Sequence, residues 1–152
     1  MNYWLIKSEP DAFSIDDLKR DKITSWEGVR NYQARNNLRA MEKGDLALFY
    51  HSSTNPTGVV GVAKVVVTAL PDKTQFDTKG EYYDKKSTPE KPIWYCPDFA
   101  FVEKFKSIVT LEDMKKDKKL AGILVAQRGS RLSVQPVSKE HFEYIRALGT
   151  KG

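Results

Sequence analysis

A chain of 152 residues, 40% apolar and 30% charged, can bury a core as one domain (residues 1–152) without staples, and its single cysteine, Cys96, excludes an internal disulfide framework. No run approaches the ~20 apolar residues of a membrane span, and "MNYWLIKSEP" lacks the basic start and long apolar stretch of a signal peptide, so an intracellular, cytoplasmic protein is expected (nuclear if the host is a eukaryote). The net charge of +5 lies wholly in residues 101–152, with eleven basic and six acidic groups, which by itself need only keep the protein soluble.

"YWLIK" (Tyr3–Lys7) reads as a buried strand, and Ser14 with Asp17 three residues on forms a capping-box start for a short helix, "SIDDLKR". Ile23–Trp26 is a short extended piece. "NYQARNNLRAM" predicts a helix that buries Tyr32, Leu38 and Met41 and sets Arg35 and Arg39 on one face. "LALFYH" (Leu46–His51) is a strand, "SSTNPTG" a hairpin loop, and Val59–Leu70 a bent strand with a bulge at Gly61. Residues 71–92 are polar but carry Phe76, Tyr82 and Tyr83, and form a long loop of the kind that often serves function. The sheet resumes over Ile93–Phe105. Thr110 with Asp113 caps "LEDMKKD", "LAGILVAQ" is a turn or helix, and "SRLSVQPV" is a last strand whose Pro136 marks an edge. Ser138 caps a final helix with Phe142, Ile145 and Leu148 as its core stripe and Gly149 as its stop. The pattern is α/β (α+β): a mostly antiparallel curved sheet or small barrel with short helices around it.

Chemistry for catalysis is sparse. Cys96, His51 and His141 have no metal-ligand spacing, so no metal or cofactor is expected. Cys96 and His51 could pair as nucleophile and base, against the plainer reading of a buried thiol beside a strand-end histidine. Binding chemistry is richer. Trp26 stands in the polar "TSWEGVRN" beside Gly28, where a ligand can approach closely, and its ring either carries a stacked base or roofs the core. No acid lies between Glu27 and Glu42, a stretch that holds Arg30, Arg35 and Arg39 as candidate phosphate contacts or a solvated helix face.

"YWLIKSEP", "WEGVRNYQARN", "GDLALFYHS", "VVGVAKVV", "YYDKKS" and "LSVQPVS", in that order from Tyr3 to about Leu148, resemble the EVE-domain family of the PUA-like superfamily. Some members carry a basic N-terminal segment that this sequence lacks, so nuclear location is not carried over. The resemblance implies a PUA-like β-barrel with flanking helices and a non-catalytic role: recognition of a modified base, a modified cytosine in DNA or a modified RNA base, flipped into an aromatic pocket. It brings together, as base-binding candidates, Lys7, Ser8 and Glu9; Trp26, Gly28, Val29, Arg30 and Asn31; Tyr50 and His51; and Ser133, Val134, Gln135 and Pro136. Trp26 would be the stacking platform, its truncation costing affinity and little stability. Asn31 and Gln135 would read the base edge with their amides, helped by Ser8 and Ser133, and Glu9 would accept from an exocyclic amine. Two alternatives stay open: an RNA-binding module indifferent to modification, and an enzyme or small-molecule binder acting on a nucleotide-like anion with Glu9 or His51 as base.

Overall fold

The computed structural model describes residues 1–151. Six strands form one sheet: β1 (Tyr3–Ser8), β2 (Ile23–Ser25), β3 (Leu46–His51), β4 (Gly58–Pro71), β5 (Tyr95–Thr110) and β6 (Val134–Val137), in the order β2-β5-β4-β3-β1-β6. β1 and β3 run parallel, Tyr3 opposite Leu46 through Ser8 opposite His51, and the other pairs are antiparallel. The long β4–β5 hairpin slips register at several points, one of them the expected bulge at Gly61, and such slips bend a strand and increase its twist. The sheet curves but stays open, with β2 and β6 as edges, so the α+β class holds without closure into a barrel. Pro136 sits on the edge strand β6, where a missing amide costs no ladder bond on the outer side.

Strand alternation sorts the core into two layers. Trp4, Ile6, Ala47 and Phe49 pack on one face under α1 (Ile15–Asp21) and α2 (Tyr32–Ala40). Leu5, Leu48 and Tyr50 pack on the other under α3 (Leu111–Lys116) and α4 (Lys139–Lys151). The helix starts are set locally. Ser14 and Asp17 form the reciprocal capping box of α1, Thr110 caps α3, and the amide of His141 donates to the hydroxyl of Ser138 at 3.1 Å. Two expectations fail on packing. Tyr32 is 58% exposed, because it is the first residue of α2 and stacks outside on Trp94, leaving Ala34, Leu38 and Met41 to face the core. Gly149 does not end α4: it is buried within it, where any Cβ would strike the Phe105 ring.

Residues 72–94 are an ordered loop organised by one buried glutamine. Gln75, in a 3₁₀ turn over Lys73–Phe76, donates through Nε2 to the carbonyls of Asp72 and Trp94, both at 2.8 Å. Its Oε1 accepts from the amides of Ile93 and Trp94 at 3.0 and 2.9 Å, so β5 starts at Tyr95 and not at Ile93. Among the described residues no helix is long and apolar enough to cross a membrane.

Candidate functional site

An open cleft of about 510 Å³ lies where the C-terminal end of β1 meets the chain after β2. Its walls are Lys7, Ser8 and Glu9, then Thr24 through Arg30, then Phe13, Tyr82 and Ser133. Each segment is locked from behind. The hydroxyl of Ser8 donates to the carbonyl of Phe13 at 2.6 Å, and the carbonyl of Glu9 accepts from the amides of Ala12 and Phe13, folding residues 8–13 into a tight turn. The amide of Lys7 donates to the carbonyl of Ser133 at 2.9 Å, which brings the residue before β6 to the rim. Ser25 donates through its hydroxyl to Asp98 at 2.6 Å, and the amide of Trp26 continues the β2–β5 pairing to the carbonyl of Pro97.

Trp26 satisfies both halves of its sequence context. Its ring is 7% exposed and meets Phe49, Phe99 and Phe13 edge-on, with centroids 5.6, 5.5 and 6.4 Å away, so it is a core residue. The same residue forms part of the cleft wall. After it the chain turns at Gly28 with φ of 91°, a left-handed conformation that suits glycine, and a Cβ there would lie 2.7 Å from the Tyr82 ring.

Arg30 borders the cleft, but its guanidinium is committed inward. Nη1 donates to Asp72 at 3.2 Å and to the carbonyl of Val29 at 2.9 Å, Nη2 donates to Thr74 and to the carbonyl of Tyr82, and Nε also donates to Tyr82. Asp72 is almost fully buried. Burial would raise its carboxyl, yet hydrogen bonds from Thr74, the Gly28 amide and Arg30 together hold it below the usual carboxylate range. This knot fastens the 72–94 loop to the Trp26 turn and leaves Arg30 no free fork for a phosphate. Of the other two arginines, Arg35 donates to the carbonyl of Ile93 and to Asn36, whereas Arg39 is exposed and lies 4.3 Å over the Tyr95 ring with no acid beside it among the described residues.

Six of the residues grouped by resemblance stand away from this cleft. Asn31 is the N-cap of α2, its Oδ1 accepting from the amide of Ala34 at 2.9 Å, and with Gln135 it borders a neighbouring cavity of about 470 Å³. Tyr50 is buried on the α4 face beneath the Lys7 ammonium, 5.6 Å from its ring centroid, and burial pushes its phenol up to about 12. The same burial lowers Lys7. His51 accepts the amide of Ile15 on Nε2 at 3.1 Å, Val134 is a core residue, and Pro136 lies beside the N-terminus. Cys96 is buried and its thiol pushed up to about 12, the opposite of an activated nucleophile. Sequence reading missed Phe13, Thr24, Ser25, Glu27 and Tyr82 as wall residues, although Tyr82 lay in view as an aromatic in a long polar loop.

Comparison with known proteins agrees with this architecture. The EVE domain profile matches residues 2–148. Thymocyte nuclear protein 1 of Gallus gallus is 42% identical over 165 residues, covering 96% of this chain and 68% of that protein. A Pseudomonas syringae structure superposes with a TM-score of 0.92 at 49% identity, covering 96% of this chain and 98% of that one. Human THYN1, solved in complex with DNA containing 5-methylcytosine, superposes with a TM-score of 0.92 at 38% identity over 100% of this chain and 99% of its own. The chain belongs to the EVE-domain family.

Proposed function

We propose that this chain, acting as one EVE domain, is a non-catalytic reader of modified cytosine in DNA, receiving the base from the strand into the cleft at Trp26. The observation that carries this reading is the match, over the whole of this chain, to the human THYN1 chain solved with 5-methylcytosine DNA. The cleft suits the role physically: about 510 Å³ is within the ~300–1,000 Å³ of ligand pockets. Trp26 contributes to its wall the small exposed margin of a ring held rigid by its aromatic neighbours. The exposed carboxylate of Glu9 accepts from the cytosine exocyclic amine, and the hydroxyl of Ser133 donates to the rest of the base edge, while Ser8, its proton given to the Phe13 carbonyl, shapes the wall. No metal or cofactor has a part in the reading.

A single buried methyl group is worth ~0.8 kcal/mol, about fourfold in affinity. Paired titration of matched oligonucleotides, with cytosine or 5-methylcytosine at one position, in single- and double-stranded DNA and in RNA, should therefore show a preference of about fourfold for the methylated DNA. A ratio near one for every modification tested, with RNA bound regardless, would replace the reading with general RNA binding. Turnover of the base would make the protein an enzyme.

A further inference from the structure

The cavity beyond Asn31 lies beside the Trp26 cleft. Val29, Arg30 and Ser133 line the Trp26 cleft, while their chain neighbours Asn31 and Leu132 line the second cavity, so only two chain segments separate them. The second cavity has no acidic residue in its wall, and its lip carries Arg128 and Arg131. Both are exposed, and among the described residues neither has a salt-bridge partner, unlike Arg20, Arg30 and Arg146.

The loop that carries them is held by hydrogen bonds on two sides. The amide of Ser130 donates to the carbonyl of Gln127 at 3.1 Å, closing a turn, and Gly129 takes φ of 76° within it. From beneath, the amide of Gln135 donates to the hydroxyl of Ser130 at 3.0 Å and to the carbonyl of Leu132 at 2.8 Å. Gln135 is 1% exposed, so a polar side chain is buried to hold an exposed turn in shape. Two free guanidinium forks, on a turn pegged from inside and beside the base cleft, match the phosphates that flank a nucleotide lodged in that cleft.

We propose that the Arg128–Arg131 turn is a backbone clamp, and that the DNA strand delivering its base to the Trp26 cleft runs across the second cavity. The proposal rests on the modified-cytosine reading and adds the path of the strand and the two cations that grip it. Gln135 is then a positioning residue for the clamp, not a reader of the base edge.

The test is fluorescence anisotropy of a methylated duplex and its unmodified match, over a series of salt concentrations, against wild type, R128A/R131A and R128K/R131K. With two phosphates no longer neutralised, the slope of log affinity on log salt should become shallower by about 1.8 in R128A/R131A. Both duplexes should weaken by the same factor, leaving the methylation ratio as in wild type, and the lysine pair should keep the wild-type slope. Wild-type slope and affinity in R128A/R131A, with the methylation preference intact, would overturn the clamp and leave the reading standing. Collapse of the ratio in that variant would also overturn it, making the turn part of base recognition. Absence of DNA binding in wild type would sink the reading and the clamp together. Coincident thermal melting of the three proteins checks that these exposed substitutions leave the fold alone.

Discussion

At the scale of single residues, Trp26 and Arg30 show how burial reassigns a side chain. In sequence Trp26 is an apolar ring in a polar loop, and a ligand platform there would be dispensable for folding. In the fold its ring is wedged among Phe13, Phe49 and Phe99. Truncation leaves a cavity that its rigid aromatic neighbours cannot close, so Trp26→Ala should lower stability by about 3–5 kcal/mol in chemical denaturation. A melting midpoint unchanged from wild type would show that the ring contributes nothing to the core. Affinity lost in this variant has to be expressed per folded molecule before it speaks for stacking. Arg30 reads in sequence as a phosphate contact, but its donors are consumed by Asp72, Thr74 and two carbonyls, and removing it would leave the buried Asp72 carboxylate without its paired cation, held only by Thr74 and the Gly28 amide.

At the scale of elements, the start of α1 depends on a strand. His51 ends β3, and its neutral Nε2 accepts the first amide of α1 from Ile15. Burial pushes the imidazole below its ordinary value, with Asp16 pulling up and Lys104 pushing down more weakly. The unfolded chain therefore takes up this proton at a higher pH than the folded protein does. Between the two values the unfolded state holds more protons, so stability rises with pH. The contribution is complete above the unfolded value of about 6.5 and is lost as pH falls through the folded one. Thermal melts should show wild type losing stability as pH falls below about 6.5, and His51→Gln, which offers an acceptor that does not titrate, should lose less. Equal pH dependence in the two proteins would remove His51 from the account. The same level of organisation explains α4: a glycine near its end is there for the close approach of Phe105, not as a terminator.

At the scale of the whole molecule, net charge says less than placement. The chain carries +5, yet many arginines and lysines are paired with acids or committed to carbonyls. Arg39, Arg128 and Arg131 remain as unpaired arginines among the described residues, on α2 and on the turn beside the second cavity. If these three each neutralise one phosphate, the salt slope is about −2.7, and duplex affinity falls roughly 40-fold between 50 and 200 mM salt. A steeper response, near 500-fold, would mean about five neutralised phosphates and bring lysines into the footprint. A flat response would remove nucleic acid as the main partner.

The sequence by itself determined the elements and the family. Caps at Ser14, Thr110 and Ser138, the apolar runs of β1 and β3, the bulge at Gly61 and the edge proline are set by hydrogen bonds and patterns that span a few residues. It was the family resemblance, not any local pattern, that grouped "KSEP", "WEGVRN", "YHS" and "LSVQP", and residues of the first two and Ser133 line the cleft. Only the tertiary structure decided which of their side chains face it. Asn31, short and polar, caps a helix with its Oδ1, and Gln135 is a peg under a turn. Tyr82 reaches the cleft because Arg30 and Asp72, forty-two residues apart, tie its loop across the Trp26 turn. Burial and partnership arise between residues distant in the chain, and no local pattern carries them: a tryptophan in a polar loop reads the same whether its ring points out to a ligand or, as here, packs edge-on into three phenylalanines.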